Sequence, residues 1–441
     1  MNEKSISVRE RALSLLLEYE ASGKYANLSL ASHHTDGLSL EDRALLTHLF
    51  YTAVERKITY DYYAAALSGR SCDDITPRAR NILRLGFAQL LASSSIPTYA
   101  AVNETVKLGT GAGERSFING VMRAAARAAE EGTLPMPKRE RNEARYLSVK
   151  YSVPLSLAKE LLSSFGEEAE ALLTAYNSVG YTDITVNTTR TDKDALIREL
   201  GEEGLVASPS LYSSLGIRVT GSFNPTRYAA FREGRFFVED EASLVSQEAL
   251  GARVGDTVVD VCSAPGGKSL ATASLTHGGA KIYSFDLHSS KLSLISASAE
   301  RLGFDITVAE RDAREPDESL LGRADRVICD VPCSGLGVLG KKPDLRYRDA
   351  SEDASLPTLQ HEILSASAKY LRPGGEIMYS TCTLRDAENR EVVERFLSEH
   401  PDFSTVEFAV GALRSSGGML TLLPHVHKTD GFFMAKLRRE K

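Results

Sequence analysis

No run of apolar residues in this 441-residue sequence is long enough to cross a bilayer. The N-terminal stretch MNEKSISVRERALSLLLEYE carries charge inside its apolar segment, which excludes a signal peptide. A soluble, cytoplasmic protein is expected. Cysteine is scarce, with five residues: Cys72, Cys262, Cys329, Cys333 and Cys382. An odd number in a chain of this length argues against a disulfide framework. There is no CxxC pair, and the nine histidines are scattered without zinc spacing, so no metal is expected. The GxxxxGK[ST] signature of ATP phosphate binding is also missing. Nor is there a basic excess: the net charge is −7, which excludes a general nucleic-acid binder and leaves only local basic patches. These are Lys138, Arg139, Arg141 and Arg145; Lys341, Lys342, Arg346 and Arg348; and Lys436, Arg438, Arg439 and Lys441. Solvated surface is the ordinary reading of such patches. The middle one stands apart because it adjoins a chemistry-bearing motif.

What is present describes a globular chain. Hydrophobic residues make up 42% and charged residues 25%, and the length suits two or three domains. Residues 1–139 read as all helix. Arg9 to Glu20 puts Ala12, Leu15, Leu16 and Tyr19 on one face at helical spacing. Ser39 reads as an N-cap, with Glu41 and Asp42 in the first turn. PMPKRERNEAR, with two prolines, reads as a linker. Residues 140–239 mix the helical SLAKELLSSFG and KDALIRELGEEG with strand-like TDITVNTT, IRVTGS and RFFVED, giving a small α+β domain. Residues 240–441 alternate helices with the short apolar strands TVVDVCSA, IYSFDL, ITVAERDA, RVICDVP and EIMYSTC. That alternation predicts a doubly wound, Rossmann-like α/β sheet with its ligand at the carboxyl ends of the strands.

Three motifs fall at those strand ends. In VVDVCSAPGGKS a strand runs into a Gly266-Gly267 turn and then a helix, so backbone N–H groups face a ligand that glycine allows close. The spacing is not GxGxxG, and strand, turn and helix alone would serve any nucleotide-like cofactor. Asp286 ends the next strand, where a carboxylate accepts ribose hydroxyls. Asp312 follows the third, where it could meet an adenine amino group. CDVPCSGLG supplies Asp330, Pro332 and Cys333, and YSTCTLRDAEN supplies Cys382. Successive strand ends of a doubly wound sheet can bring both thiols to one pocket. Cys72 and Cys329 read as inert small hydrophobes. A reactive thiolate needs its pKa lowered by a nearby cation or by oriented N–H groups.

DVCSAPGGK, DVPCSGLG and YSTC…EN together resemble the RNA cytosine-5 methyltransferases of the RsmB/Sun family, a likeness that extends through HKTDGFFMAKL. RALSLLLEYEASGKYANLSL, EDRALLTHLFYTAVERK, RNILRLGFAQLL, IPTYAAVNETVKL and RSFINGVMR resemble the helical NusB-type RNA-binding domain. The family's layout joins these two parts and acts on 16S rRNA. The resemblance implies a class I methyltransferase domain that uses S-adenosylmethionine. Its cofactor residues would be Cys262, Ser263, Ala264, Pro265, Gly266, Gly267, Lys268, Asp286, Asp312 and Asp330. Cys382 would be the nucleophile toward cytosine C6, Cys333 would assist product release, and Asp330 would face the base. Lys341, Lys342 and Arg346 are candidates for flanking phosphates. The sequence differs from the common family pattern at Glu239, where Gln is frequent, at Thr185, where Arg is frequent, and at Gly340-Lys341-Lys342, where a double arginine is common. RNA, most readily 16S rRNA, is the expected partner of a monomeric enzyme. Two alternatives stand beside this: a tRNA cytosine-5 methyltransferase, and a non-catalytic NusB-like RNA-binding factor. The intact glycine turn and both cysteines argue against the latter.

Overall fold

The computed structural model describes residues 6–22, 26–30, 35–178, 180–221, 223–348 and 350–441. Residues 1–5 of the N-terminal stretch and 23–25 of the NusB-like stretch therefore lie outside the described residues. The chain divides into two compact units, one of Met1–Asn177 with Lys342–Arg348, the other of Ser178–Lys341 with Asp349–Lys441.

The first unit is helical. Its helices are α1 (Val8–Ser22), α2 (Ala26–Leu30), α3 (Leu40–Glu55), α4 (Lys57–Ser68), α5 (Pro77–Leu91), α6 (Thr98–Lys107), α7 (Ala112–Glu130), α8 (Glu143–Tyr151), α9 (Leu155–Phe165) and α10 (Ala169–Tyr176). The apolar face read from the sequence of α1 is the buried one: Ala12, Leu15 and Leu16 enter the core and Tyr19 packs against it. Ser39 caps α3 by accepting the Asp42 N–H at 3.1 Å. Thr76 caps α5 just before Pro77, where a missing N–H costs nothing. The sequence did not announce a charge in this core. Arg84 of α5 is 3% exposed. Its guanidinium donates to both carboxylate oxygens of Asp61, at 2.7 and 2.6 Å, and to Glu20 at 2.6 Å. Both acids are largely shielded, so each charge is satisfied by its partner rather than by water.

Lys342–Arg348 is also part of this unit. Asp344 accepts the Ala26 N–H at 3.0 Å, and the Tyr347 hydroxyl donates to the Glu55 carbonyl at 2.9 Å. Arg346 donates to the Tyr151 carbonyl at 3.1 Å and to the Asn177 side chain at 2.8 Å, and is 2% exposed. This corrects the expectation for Arg346: a buried guanidinium already bound to a carbonyl and an amide is not placed to hold an RNA phosphate.

The second unit opens with a small antiparallel sheet of β1 (Tyr181–Val186), β2 (Val206–Pro209), β3 (Gly216–Thr220) and β4 (Phe236–Val238) in the order β2-β3-β1-β4. Helix α11 (Lys193–Glu202) lays Leu196 and Leu200 on Ile184, Val186, Ile217 and Val219. The short α12 (Ala229–Arg232) precedes β4.

The main sheet follows. Its parallel strands are β5 (Thr257–Asp260), β6 (Lys281–Asp286), β7 (Ile306–Glu310), β8 (Ala324–Asp330) and β9 (Leu371–Thr381), with helices α13 (Glu241–Leu250), α14 (Gly267–Leu275), α15 (Ser289–Leu302), α16 (Leu356–Ser367) and α17 (Arg390–Glu399). Both faces are covered. Val258, Ile328 and Met378 enter one core, and Val259, Val327, Cys329, Ile377 and Tyr379 the other. That explains why these strands read as continuous apolar runs. One edge departs from the five-strand expectation. β14 (Phe432–Arg439) pairs antiparallel with β9, and β10 (Phe403–Thr405) and β13 (Met419–Leu422) pair with β14; a two-stranded ribbon, β11 (Ala409–Val410) and β12 (Leu413–Arg414), lies between them in the chain. GFFMAKL is an interior strand of this sheet and is buried on both faces, Met434 in one core and Phe433 and Ala435 in the other. The strand order β10-β14-β9-β8-β5-β6-β7 reverses direction between β5 and β8. That reversal is the topological switch point where such sheets bind ligands.

Arg84→Ala leaves two shielded carboxylates without their cation. The full-length variant should lose about 3 kcal/mol of stability in the helical unit, read as an earlier first transition in urea unfolding followed by circular dichroism. A shift worth less than about 1 kcal/mol, the value of an exposed pair, would show that the charge cluster is incidental.

Candidate active site

The site around the switch point is built from five strand ends and one loop crossing. After β5 the chain turns through Ser263–Gly266 into α14. The Gly266 N–H donates to the Ser263 carbonyl at 2.6 Å, and the Ser263 N–H donates to the Phe285 carbonyl at 2.8 Å, which ties the turn to β6. Gly266 has φ of 111°, a conformation that disfavours any side chain. At Gly267 a Cβ would collide with the Glu239 carboxylate, so a larger residue there would have to displace that side chain. Asp286, at the end of β6, accepts the Ala264 N–H at 3.1 Å and the His288 N–H at 3.0 Å. Asp312, just beyond β7, is held by Arg314 through a 2.6 Å ion pair. Hydrogen bonding from that guanidinium keeps its carboxyl below the usual range. Ser263 to Lys268, Asp286, Asp312 and Asp330 thus all sit at carboxyl ends of adjoining strands.

Asp330 ends β8. Its Oδ1 accepts from the Ser380 hydroxyl at 2.7 Å and its Oδ2 pairs with the Lys268 ammonium at 2.8 Å. Burial works against the charge on Lys268, but Asp330 and then Glu239 outweigh it and hold the ammonium above the ordinary lysine range. The sequence placed Lys268 in the cofactor turn; the fold gives it a second task as the cation that anchors Asp330. Burial raises the Glu239 carboxyl, with Lys268 opposing.

Cys333 and Cys382 meet, with their sulfurs 3.2 Å apart. Two loops cross to bring them there. The Gly337 N–H donates to the Cys382 carbonyl at 2.8 Å, and the Gly431 N–H donates to the Gly337 carbonyl at 2.9 Å. A hydrogen bond to Cys382 is the largest cause that raises the Cys333 thiol, burial the next. Either sulfur can donate to the other. Cys329 is fully buried, and burial raises its thiol, as its inert reading expects. Cys262, in the turn, is also raised by burial.

The structure corrects one further expectation. Lys341 pairs with Asp240, with Asp430 at 3.0 Å and with Asp183 at 3.7 Å. An ammonium enclosed by three carboxylates is a structural tie, not a contact for phosphate. The sequence also missed the polar groups beneath the cysteines: Ser334, Gln360, Thr383 and Glu388. Glu388 was visible inside the quoted YSTC…EN pattern, though with no role. Gln360, on a helix far off in sequence, gave no signal at all. Among the described residues no helix is long and apolar enough to cross a membrane, and no group of three or more His, Cys, Asp or Glu residues could hold a metal ion.

A glycine turn feeding a helix N-terminus at the switch point of a doubly wound sheet is the build of a nucleotide-cofactor domain, and with two cysteines and an acid at the neighbouring strand ends it is the build that the methyltransferase motifs imply. Residues 247–438 match the family described as 16S rRNA methyltransferase RsmB/F, residues 6–127 the NusB family, and residues 153–225 the ferredoxin-like domain of RsmF/B-like methyltransferases. The probable ribosomal RNA small subunit methyltransferase B of Bacillus subtilis (strain 168) is 34% identical over 99% of this chain and 100% of its own length. The ribosomal RNA small subunit methyltransferase B of Pseudomonas putida is 31% identical over 97% of this chain and 96% of its own. Among solved structures, PH0851 superposes with a TM-score of 0.78 at 27% identity over 99% of both chains. NSun6 from Pyrococcus horikoshii with SFG has a TM-score of 0.60 at 23% identity, over 65% of this chain and 98% of that one. The chain belongs to the RsmB/Sun family of ribosomal RNA small subunit methyltransferases, and it is an RNA methyltransferase.

Gly337 tests the loop crossing. A Cβ there would collide with the Gly431 carbonyl and lie 2.8 Å from the Cys382 carbonyl, both rigid backbone. Gly337→Ala should cost about 1–3 kcal/mol of stability and lower methylation of RNA by two orders of magnitude or more, on the scale of an ångström-sized misplacement. Near-normal turnover would mean that the crossing does not set the sulfur positions.

Proposed function

We propose that this enzyme transfers a methyl group from S-adenosylmethionine to C5 of one cytosine in 16S rRNA through a covalent bond between Cys382 and C6. The observation that carries this reading is the 3.2 Å approach of Cys333 and Cys382 beside the Asp330–Lys268 pair at the switch point. The donor set fits the cofactor. The Cys262–Lys268 turn offers backbone N–H groups at the start of α14. Asp286 and Asp312 offer carboxylates at the next two strand ends, suited to ribose hydroxyls and an adenine amino group. When bound, S-adenosylmethionine supplies an electrophilic methyl group.

Cytosine C5 is a poor nucleophile. The Cys382 thiolate adds to C6, and the π electrons move toward C5, which then takes the methyl group; one difficult step becomes two easier ones. Asp330 receives the N4 amino edge of the base, with Lys268 fixing the carboxylate and placing positive charge where the ring gains negative charge. The C5 proton then leaves to a base at Cys333, either its thiolate or a water that it holds, and the C6–sulfur bond breaks. Bonding of Cys382 to C6 consumes its thiolate. Cys333 then stands beside the adduct, within reach of the C5 side of the base.

The helical segment 1–139 and the segment 140–239 are read as the parts that hold RNA, and 240–441 as the catalytic part. An unpaired cytosine suits this pocket because unstacking it costs less. A tRNA substrate is the competing reading. It differs only in partner, so labelled cofactor with separated rRNA and tRNA distinguishes the two.

Cys382→Ala should abolish methylation while cofactor binding persists. Cys333→Ala should accumulate an RNA–protein adduct that survives denaturing electrophoresis. An adduct in Cys382→Ala together with normal turnover in Cys333→Ala would reverse the two roles. Label on a base other than cytosine would remove the reading altogether.

A further inference from the structure

We propose that Glu388 is a positioning residue for both cysteines: its buried carboxylate ties the loop of Cys333 to the loop of Cys382 and thereby sets the distance between the two sulfurs. The inference rests on the two-cysteine reading above for its relevance to catalysis, but not for its geometry.

Glu388 is 1% exposed. Its Oε1 accepts from the Ser334 hydroxyl at 2.6 Å, and its Oε2 accepts from the Ser334 N–H at 2.9 Å and from Gln360 Nε2 at 3.0 Å. Ser334 is the neighbour of Cys333. Its hydroxyl also lies 2.7 Å from the hydroxyl of Thr383, the neighbour of Cys382. Gln360 Nε2 reaches the Pro332 carbonyl at 2.9 Å, on the other side of Cys333. The next residue completes the grip: Asn389 accepts from the Thr381 hydroxyl at 2.5 Å and donates to the Thr383 carbonyl at 3.0 Å. Residues on both sides of each cysteine are therefore held by Glu388, Asn389 and Gln360. The Glu388 carbonyl itself accepts from the Tyr379 hydroxyl at 2.6 Å, which fastens the clamp to β9.

A buried carboxylate is costly unless fully hydrogen-bonded, and charge-assisted bonds of this kind are short and directional. An apolar side chain could fill the same space without binding both loops. Glutamate supplies two acceptors in a fixed fork: one takes the Ser334 hydroxyl, the other the Ser334 N–H and the Gln360 amide. Arg385, 3.7 Å from Oε1 and engaged with Asp353 at 2.6 Å, places positive charge beside it.

The test uses the full-length protein and three readouts: the melting temperature, kcat and KM for RNA methylation, and the rate at which diamide oxidises Cys333 and Cys382 to a disulfide, followed by peptide mass. In that reaction the two thiols lose two hydrogens, which reduce diamide to its hydrazine. The oxidation rate reads sulfur spacing with neither RNA nor cofactor present, so it succeeds or fails independently of the proposed methylation chemistry. Glu388→Ala should slow the oxidation by about tenfold or more and lower kcat by about a hundredfold, with KM within about twofold, as expected for misplaced reacting groups. Glu388→Gln should recover most of both. Its carbonyl oxygen still accepts from Ser334 N–H and Gln360, and its amide nitrogen donates to the Ser334 hydroxyl, which turns to accept. Should Glu388→Ala fail to fold, Ser334→Ala replaces it, because it removes the hydroxyl bonds and keeps the backbone one; the same two rates should fall by a smaller factor. Oxidation within twofold of the parent in a folded Glu388→Ala or Ser334→Ala variant overturns the proposal. A loss of kcat with unchanged oxidation also overturns it.

Discussion

One backbone hydrogen bond organises the catalytic unit: the Gly337 N–H on the Cys382 carbonyl at 2.8 Å. It joins the loop after β8 to the end of β9, where the sulfurs of Cys333 and Cys382 lie 3.2 Å apart. The contact is possible only because two glycines face each other, Gly337 against Gly431, where any Cβ would strike backbone. Gly431 follows Asp430, which Lys341 holds at 3.0 Å. The acidic knot around Lys341 therefore secures the third loop of the crossing. Burial and the neighbouring Asp240 raise the Asp430 carboxyl, which marks how closely these charges are packed.

Placing a reactive sulfur at a strand end is inexpensive in this architecture. The central parallel strands β5, β8 and β9 are covered on both faces, and chemistry is left to the loops at their carboxyl ends. The sheet reverses order between β5 and β8, and that reversal opens the crevice. The glycine turn lies on one side of it and the two cysteine loops on the other, with Lys268 and Asp330 as the link between them at 2.8 Å. An ion pair thus spans the glycine turn and the cysteine loops. The side chains of Lys268 and Asp330 are 13% and 27% exposed, so the pair is partly screened from solvent and stronger than one on the open surface.

The parts legible in the sequence were those with short-range causes. The helical period of α1, the Ser39 cap and the apolar strands β5 to β9 each follow from residues near one another in the chain, and the three strand-end motifs marked Cys333, Cys382, Asp330 and the glycine turn before any coordinates. Features set by tertiary packing were not legible. The antiparallel β14, between β9 and β10, lies outside the alternation that marks the five parallel strands. Arg346 and Lys341 looked like phosphate contacts, because a basic patch in sequence carries no sign of the carbonyls and carboxylates that fold around it. Arg84 and Gln360 sit on ordinary helices, and only their distant partners make them matter. Glu388 lay inside a noticed motif, yet its task appears only once Ser334 and Thr383 are seen on either side of it.

The central claim is that Cys382 bonds to the target base while Cys333 waits beside it. The most direct measurement replaces the target cytidine of a 16S rRNA fragment with 5-fluorocytidine, whose fluorine cannot leave as a proton does. The enzyme is incubated with it and S-adenosylmethionine, and the digested complex is mapped by mass spectrometry. The account predicts a methylated nucleotide attached to the peptide containing Cys382. Attachment at Cys333, or a modified base with no protein attached, would contradict it.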